Sequence, residues 1–175
     1  GISETLNIDF RTPKTLKDHH VEYEFLKELN ADLAIVCAYG QIIPENFLNL
    51  TKKGFVNIHA SILPSWRGAA PIQRSIMNLD PETGISIMKI KKELDSGPVS
   101  NIYKIKIDQN QNAQEISEKL SALAAEKILD NVDDILEDKA KFIDQDHSKA
   151  TYAKKIDKEE SVSYTHLTLP TIDPV

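Results

Sequence analysis

The chain has 175 residues, 41% of them hydrophobic, with 21 Lys and Arg against 27 Asp and Glu for a net charge of −6. This is the profile of one globular domain, and its acidic balance argues against a dedicated nucleic-acid clamp while leaving room for a local basic patch. No apolar run approaches the roughly 18 residues of a membrane helix, and Gly1-Ile2-Ser3-Glu4 has neither region of a secretory leader. The single cysteine, Cys37, excludes an internal disulfide. Its apolar run, Leu33 to Ala38, predicts a small buried hydrophobe in a reducing, cytoplasmic setting. The absence of an initiator Met points to a chain that begins within a longer protein.

Leu6 to Phe10 alternates and reads as a short strand before a turn at Pro13. Asp18 is placed to cap a helix running to about Leu29, with Val21, Phe25, Leu26 and Leu29 on its buried face. Ala31 to Ala38 reads as a central strand covered on both faces, ended by Tyr39-Gly40. Pro44 opens a short helix. Gly54 to His59 is a second buried strand, followed by a loop with Pro64 and Gly68. A helix from about Ala69 to Leu79 carries Pro71 in its first turn.

Asp80 to Gly84 is a turn by composition, and Ile85 to Ile90 a third strand. Asp95-Ser96-Gly97-Pro98 makes another turn, and Val99 to Ile107 a fourth strand. A long amphipathic helix spans about Asn112 to Glu137, its buried stripe marked by Ile116, Leu120, Leu123, Val132 and Ile135 or Leu136. Strands interleaved with helices predict an α/β fold with a mostly parallel, Rossmann-like sheet and flanking helices. The composition changes after about Glu160. Residues 1–160 are taken as the domain, and 161–175 as a tail that is either foreign to it, resembling translated adapter sequence, or a disordered native terminus.

The informative segment is Phe55-Val56-Asn57-Ile58-His59. Side chains alternate along a strand, so Val56 and Ile58 face one way and Phe55, Asn57 and His59 the other. Asn57 and His59 are then about 6.5–7 Å apart. Two polar residues at the carboxyl end of a buried strand break its apolar pattern where open α/β sheets bind ligands. The structural alternatives stay open: a core histidine bonded to a backbone carbonyl, an asparagine at a strand end, and Asp95 as an ordinary turn residue. His19, His20 and His147 lie in polar surroundings and read as solvated. No metal or phosphate-loop signature is present.

Asn57-Ile58-His59-Ala60-Ser61-Ile62-Leu63-Pro64 resembles the Asn-x-His and Ser-Leu-Leu-Pro motif of the folate-dependent formyltransferases. Leu94-Asp95-Ser96-Gly97-Pro98 resembles that family's second, Asp-bearing motif. Trp66 to Ser75, the Pro81 to Gly84 turn and Thr151 to Lys155 are similar to the branch whose acceptor is methionyl-tRNA. The alternatives are a nucleotide or amino-sugar acceptor, or an inactive folate-binding fragment. The resemblance covers about Leu6 to Glu160. That branch has an opening strand-loop-helix and a carboxyl-terminal barrel that this sequence does not show, which implies an incomplete chain missing its N-terminal portion.

The resemblance implies transfer of a formyl group from 10-formyltetrahydrofolate to the α-amino group of methionine on initiator tRNA, without a metal, by a monomer. It implies catalytic roles for Asn57, His59 and Asp95. Asn57 would donate to an oxyanion without a charge that needs desolvation. His59 would exchange a proton near neutrality or stabilise the oxyanion when charged. Asp95 would orient His59 or hold a proton-relaying water. Ser61, Ile62, Leu63 and Pro64 would line the folate pocket beside Tyr39, Gly40 and Ile42, and the Leu63-Pro64 bond is a candidate for cis. Arg67 would meet the tRNA acceptor end or cap local carbonyls. Lys89, Lys91 and Lys92 read as a solvated face.

Overall fold

The computed structural model describes residues 1–108, 110–157 and 160; the tail expected over 161–175 lies outside the described residues. In chain order the elements are α1 (Ile2–Thr5), α2 (His20–Glu28), β1 (Ala34–Cys37), α3 (Glu45–Leu48), β2 (Phe55–His59), β3 (Arg67–Gly68), α4 (Pro71–Met77), β4 (Glu82–Lys89), β5 (Val99–Lys106), α5 (Ala113–Leu136) and β6 (Tyr152–Ala153). A 3-10 turn at His147–Lys149 precedes β6.

The main sheet has the order β1-β2-β4-β5, and β3 pairs with β6 in a separate two-stranded ladder. The α/β class and the helices against a sheet follow the sequence pattern. The pairing in the four-stranded sheet is mixed. β1 and β2 run parallel, while β4 runs antiparallel to both β2 and β5. The connection after β2 explains this. Its helix α4 has seven residues, about 10 Å of rise, too little to return the chain to the far end of β2. β4 therefore starts beside the carboxyl end of β2, with Ser86 opposite His59.

The core lies between the sheet and α5. Ile58 and Ile85 pack with Ile116, Leu120 and Ala124, while Val56 and Ile87 pack with Ile135. Long-helix periodicity predicted most of this stripe, although Leu123 and Val132 are only half-buried. Asn112 caps α5 by accepting from the amides of Gln114 and Glu115, and Glu115 returns a bond to the Asn112 amide. That reciprocal cap satisfies the first-turn donors and sets where the helix begins.

Several expectations are corrected. Residues 6–10 form no strand, because their backbone closes turns onto α1 instead: Asn7 N–H donates to Glu4 and Ile8 N–H to Ser3. α2 is capped by His19, whose Nδ1 accepts from Glu22 N–H, rather than by Asp18. Val21 and Leu29 are exposed, and the buried α2 residue is Glu22, held by a two-point bond from Arg11 at 2.7 and 2.8 Å. Cys37 and Ile35 are exposed as well. They lie on the same sheet face as Ile58, but β1 is the edge strand and α5 centres its apolar stripe on β2 and β4. β4 begins at Glu82, so the turn ahead of it is shorter than composition indicated.

Candidate active site

Val56 and Ile58 face α5, so alternation turns Asn57 and His59 to the opposite face of β2. Both sit near its carboxyl end. His59 is buried, and its Nε2 donates to the Trp66 carbonyl at 2.8 Å. A carbonyl only accepts, so in the neutral ring the proton sits on Nε2 and Nδ1 carries the lone pair. That Nδ1 lies 3.7 Å from Asp95 Oδ2. The separation exceeds a direct hydrogen bond and suits a charge contact or a bridging water. Asn57 is half-buried, and its amide has no hydrogen-bond partner among the described residues.

Asp95 sits in the turn between β4 and β5 with φ of 46°, a left-handed conformation that Asp tolerates better than most side chains. Its Oδ2 also accepts from the Gly68 N–H at 2.8 Å. The structure therefore brings His59 and Asp95 together from segments far apart in sequence, with Asn57 one strand repeat away.

Ser61 to Pro64 follow β2 directly. Ser61 and Leu63 are buried, and the Leu63-Pro64 peptide is cis. Ser61 Oγ donates to the Ser65 carbonyl at 2.6 Å. Ser86 of β4 holds the loop from below, donating to Ser61 O at 2.7 Å and accepting from Leu63 N–H at 3.1 Å. Tyr39, Gly40 and Ile42 follow β1 and are exposed, Ile42 at 88%. Because β1 and β2 are parallel neighbours, these two loops leave the same end of the sheet as His59. Two surface clefts, of about 740 and 360 Å3, lie elsewhere. The larger gathers Lys52, Lys53, Lys89, Lys91 and Lys92 around the amino-terminal end of β2. Lys91 and Lys92 are solvated and paired with Asp144 and Glu45.

Arg67 matches neither of its expected roles. It is 2% exposed, so it offers no surface to a partner, and it donates to no backbone carbonyl among the described residues. Its Nε and Nη2 donate to Gln145 Oε1 at 3.1 and 2.7 Å, and Nη2 also donates to His147 Nδ1 at 3.2 Å. The 3-10 turn carrying His147 is capped by Asp146. The Ser148 hydroxyl, then Lys149, holds the Asp146 carboxyl below the ordinary carboxylate range. Gln145 and Ser86 carry no sequence signal of their own. Each is a buried polar residue that bonds backbone groups of a distant loop, and Gln145 also accepts from the Arg67 side chain. Among the described residues, no group of three or more His, Cys, Asp or Glu is placed to hold a metal ion, and no helix is long and apolar enough to cross a membrane.

Comparison with known proteins gives consistent findings. Residues 4–132 match the family model described as formyl transferase. The chain is 65% identical over 159 residues to a methionyl-tRNA formyltransferase of Pelagibacter ubique, covering 91% of this chain and 51% of that protein. It is 45% identical over 150 residues to one of Dictyoglomus turgidum, covering 86% and 48%. The chain thus spans about half the length of the curated relatives it matches. Among solved structures, a phosphoribosylglycinamide formyltransferase from Anaplasma phagocytophilum superposes with a TM-score of 0.71 at 24% identity, covering 80% of this chain and 69% of that one. A formyltransferase from Anoxybacillus kamchatkensis, solved with tetrahydrofolate, gives 0.67 at 24% identity, covering 87% and 74%. At such identities these two show the shared fold.

Proposed function

Since the chain belongs to the formyl transferase family, we propose that its site moves a formyl group from 10-formyltetrahydrofolate to the α-amino group of methionine on initiator tRNA, in the cytoplasm. The tRNA acceptor is supported by the 65% identity to a methionyl-tRNA formyltransferase. The observation that carries the chemistry is the buried imidazole of His59 facing Asp95 at 3.7 Å, beside a half-buried Asn57 amide with no protein partner among the described residues.

The nucleophile must be a neutral amine, and an α-amino group has a pKa of about 7.7–8.0. Attack of its nitrogen on the formyl carbon converts the carbonyl oxygen to an oxyanion and leaves the nitrogen positively charged. Collapse breaks the bond to the folate nitrogen, which leaves with a proton. Asn57 supplies a neutral donor to the oxyanion, a group of the kind worth about 3–4 kcal/mol to a barrier. The Trp66 carbonyl fixes the His59 tautomer, so Nδ1 is the atom that takes and returns the proton. Asp95 faces that atom and stabilises the imidazolium it forms. The formyl donor is held between the two loops at this end of the sheet, with Tyr39, Gly40 and Ile42 on one side and Ser61, Ile62, Leu63 and Pro64 on the other.

The test is a formylation assay on the full-length protein with charged initiator tRNA, a nucleotide amine and an amino sugar as competing acceptors. Formyl transfer to the tRNA is expected. His59→Ala, Asn57→Ala and Asp95→Asn should each lower turnover at least about 100-fold. Near-normal turnover in His59→Ala, or preference for a small amine, overturns the assignment.

A further inference from the structure

We infer that Gln145 is a positioning residue that sets where the Asp95 carboxylate meets His59. This rests on the reading of Asp95 given above. The turn bearing Asp95 has few bonds of its own: Ser96 N–H and Oγ reach the Glu93 carbonyl at 3.4 and 3.0 Å. Two of its other carbonyls are held from outside. Gln145 Nε2 donates to Asp95 O at 2.9 Å and to Gly97 O at 2.7 Å. Gln145 Oε1 accepts twice from Arg67. Carbonyls only accept and a guanidinium only donates, so the orientation of the amide is forced and both its hydrogens and its oxygen are used.

The other anchor of Asp95 comes from the same place. Gly68, next to Arg67 in β3, donates its N–H to Asp95 Oδ2, and β3 is fixed by parallel pairing with β6. Asp95 is therefore gripped at its carboxylate by Gly68 and at its backbone by Gln145, with both grips referred to β3.

The partner of Arg67 is the telling feature. Arg67 is buried, yet no carboxylate pairs with it among the described residues. A carboxylate at position 145 would satisfy the guanidinium better. It could not donate to the carbonyls of Asp95 and Gly97. The amide is the group that serves both, so its chemistry is matched to the turn rather than to Arg67.

This predicts a separation that substitution can expose. Gln145→Glu keeps an acceptor for Arg67 and removes both donors to the turn. Gln145→Met removes every bond at similar volume and is the second variant. In the full-length protein, either substitution should lower kcat about 10- to 100-fold through displacement of Asp95. KM for the formyl donor and for charged tRNA should stay within about threefold. Gln145→Glu should fold with a melting transition lowered less than that of Gln145→Met, because it keeps the acceptor for Arg67 while two carbonyls lose their donors. In an Asp95→Asn background the same substitutions should cause no further loss, because a residue that acts through Asp95 has nothing left to position.

A kcat within twofold of wild type in both variants overturns the inference. So does an undiminished loss in the Asp95→Asn background, or failure of both variants to fold, which would assign Gln145 to stability alone. Near-normal turnover in Asp95→Asn by itself refutes the role of Asp95 instead, and is read from that single variant.

Discussion

Ser86→Ala isolates one hydroxyl that connects the sheet to the proposed folate loop. Ser86 has no solvent exposure. Its Oγ donates to the Ser61 carbonyl at 2.7 Å and accepts from the Leu63 N–H at 3.1 Å. Alanine leaves one backbone acceptor and one backbone donor without this partner, in a site where Ser61 and Leu63 are buried too. A buried group stripped of its partner costs about 1–3 kcal/mol, so the pair predicts a loss of about 2–6 kcal/mol. That is a large part of a typical domain stability of about 5–15 kcal/mol. Urea unfolding measures it directly, as a lower midpoint with an unchanged slope. The loop also carries Leu63 and Pro64, so KM for the formyl donor should rise while the acceptor KM holds. A stability change below about 0.5 kcal/mol would refute the reasoning, because it would mean that the loop finds other partners for both groups.

Two further substitutions test other joints of the structure. Arg11→Met removes the hydrogen bonds that hold the Glu22 carboxyl below its ordinary range. A depressed folded value adds stability above the unfolded carboxylate pKa of about 4.3 and loses it as pH falls through the folded value. The Tm gap between wild type and Arg11→Met should therefore be full above about pH 5 and shrink toward pH 3; a gap that widens on acidification contradicts the pairing. Gly97→Ala would set a Cβ 1.8 Å from the Lys89 carbonyl oxygen, a backbone atom that cannot step aside. Overpacking of this kind costs about 1–3 kcal/mol or more, and here it pushes on the turn bearing Asp95, so both Tm and turnover should fall together. Normal turnover in a folded Gly97→Ala protein would show that the turn tolerates displacement.

The elements that could be read in advance share one property: their signal is local. β2 announces itself because Asn57 and His59 interrupt an apolar strand at its carboxyl end, and α5 because its apolar residues recur at helical spacing over 24 positions. β1 misled for a related reason. An apolar run reads alike in a central strand and in an edge strand, and only the strand order reveals that Ile35 and Cys37 lie beyond the cover of α5. The framework of the candidate site has no local signal. Ser86 acts on a carbonyl 25 positions away and Gln145 on one 50 positions away. Each is a common polar residue that holds a distant loop through backbone atoms, and backbone atoms have no letter in a sequence. A buried side chain of this kind is kept by the cost of leaving its partners unpaired, which is a property of the folded packing alone. The groups proposed to react thus carry a local signal that the groups holding them lack, and it is the holders, Gln145 and Ser86, whose substitution should separate geometry from chemistry here.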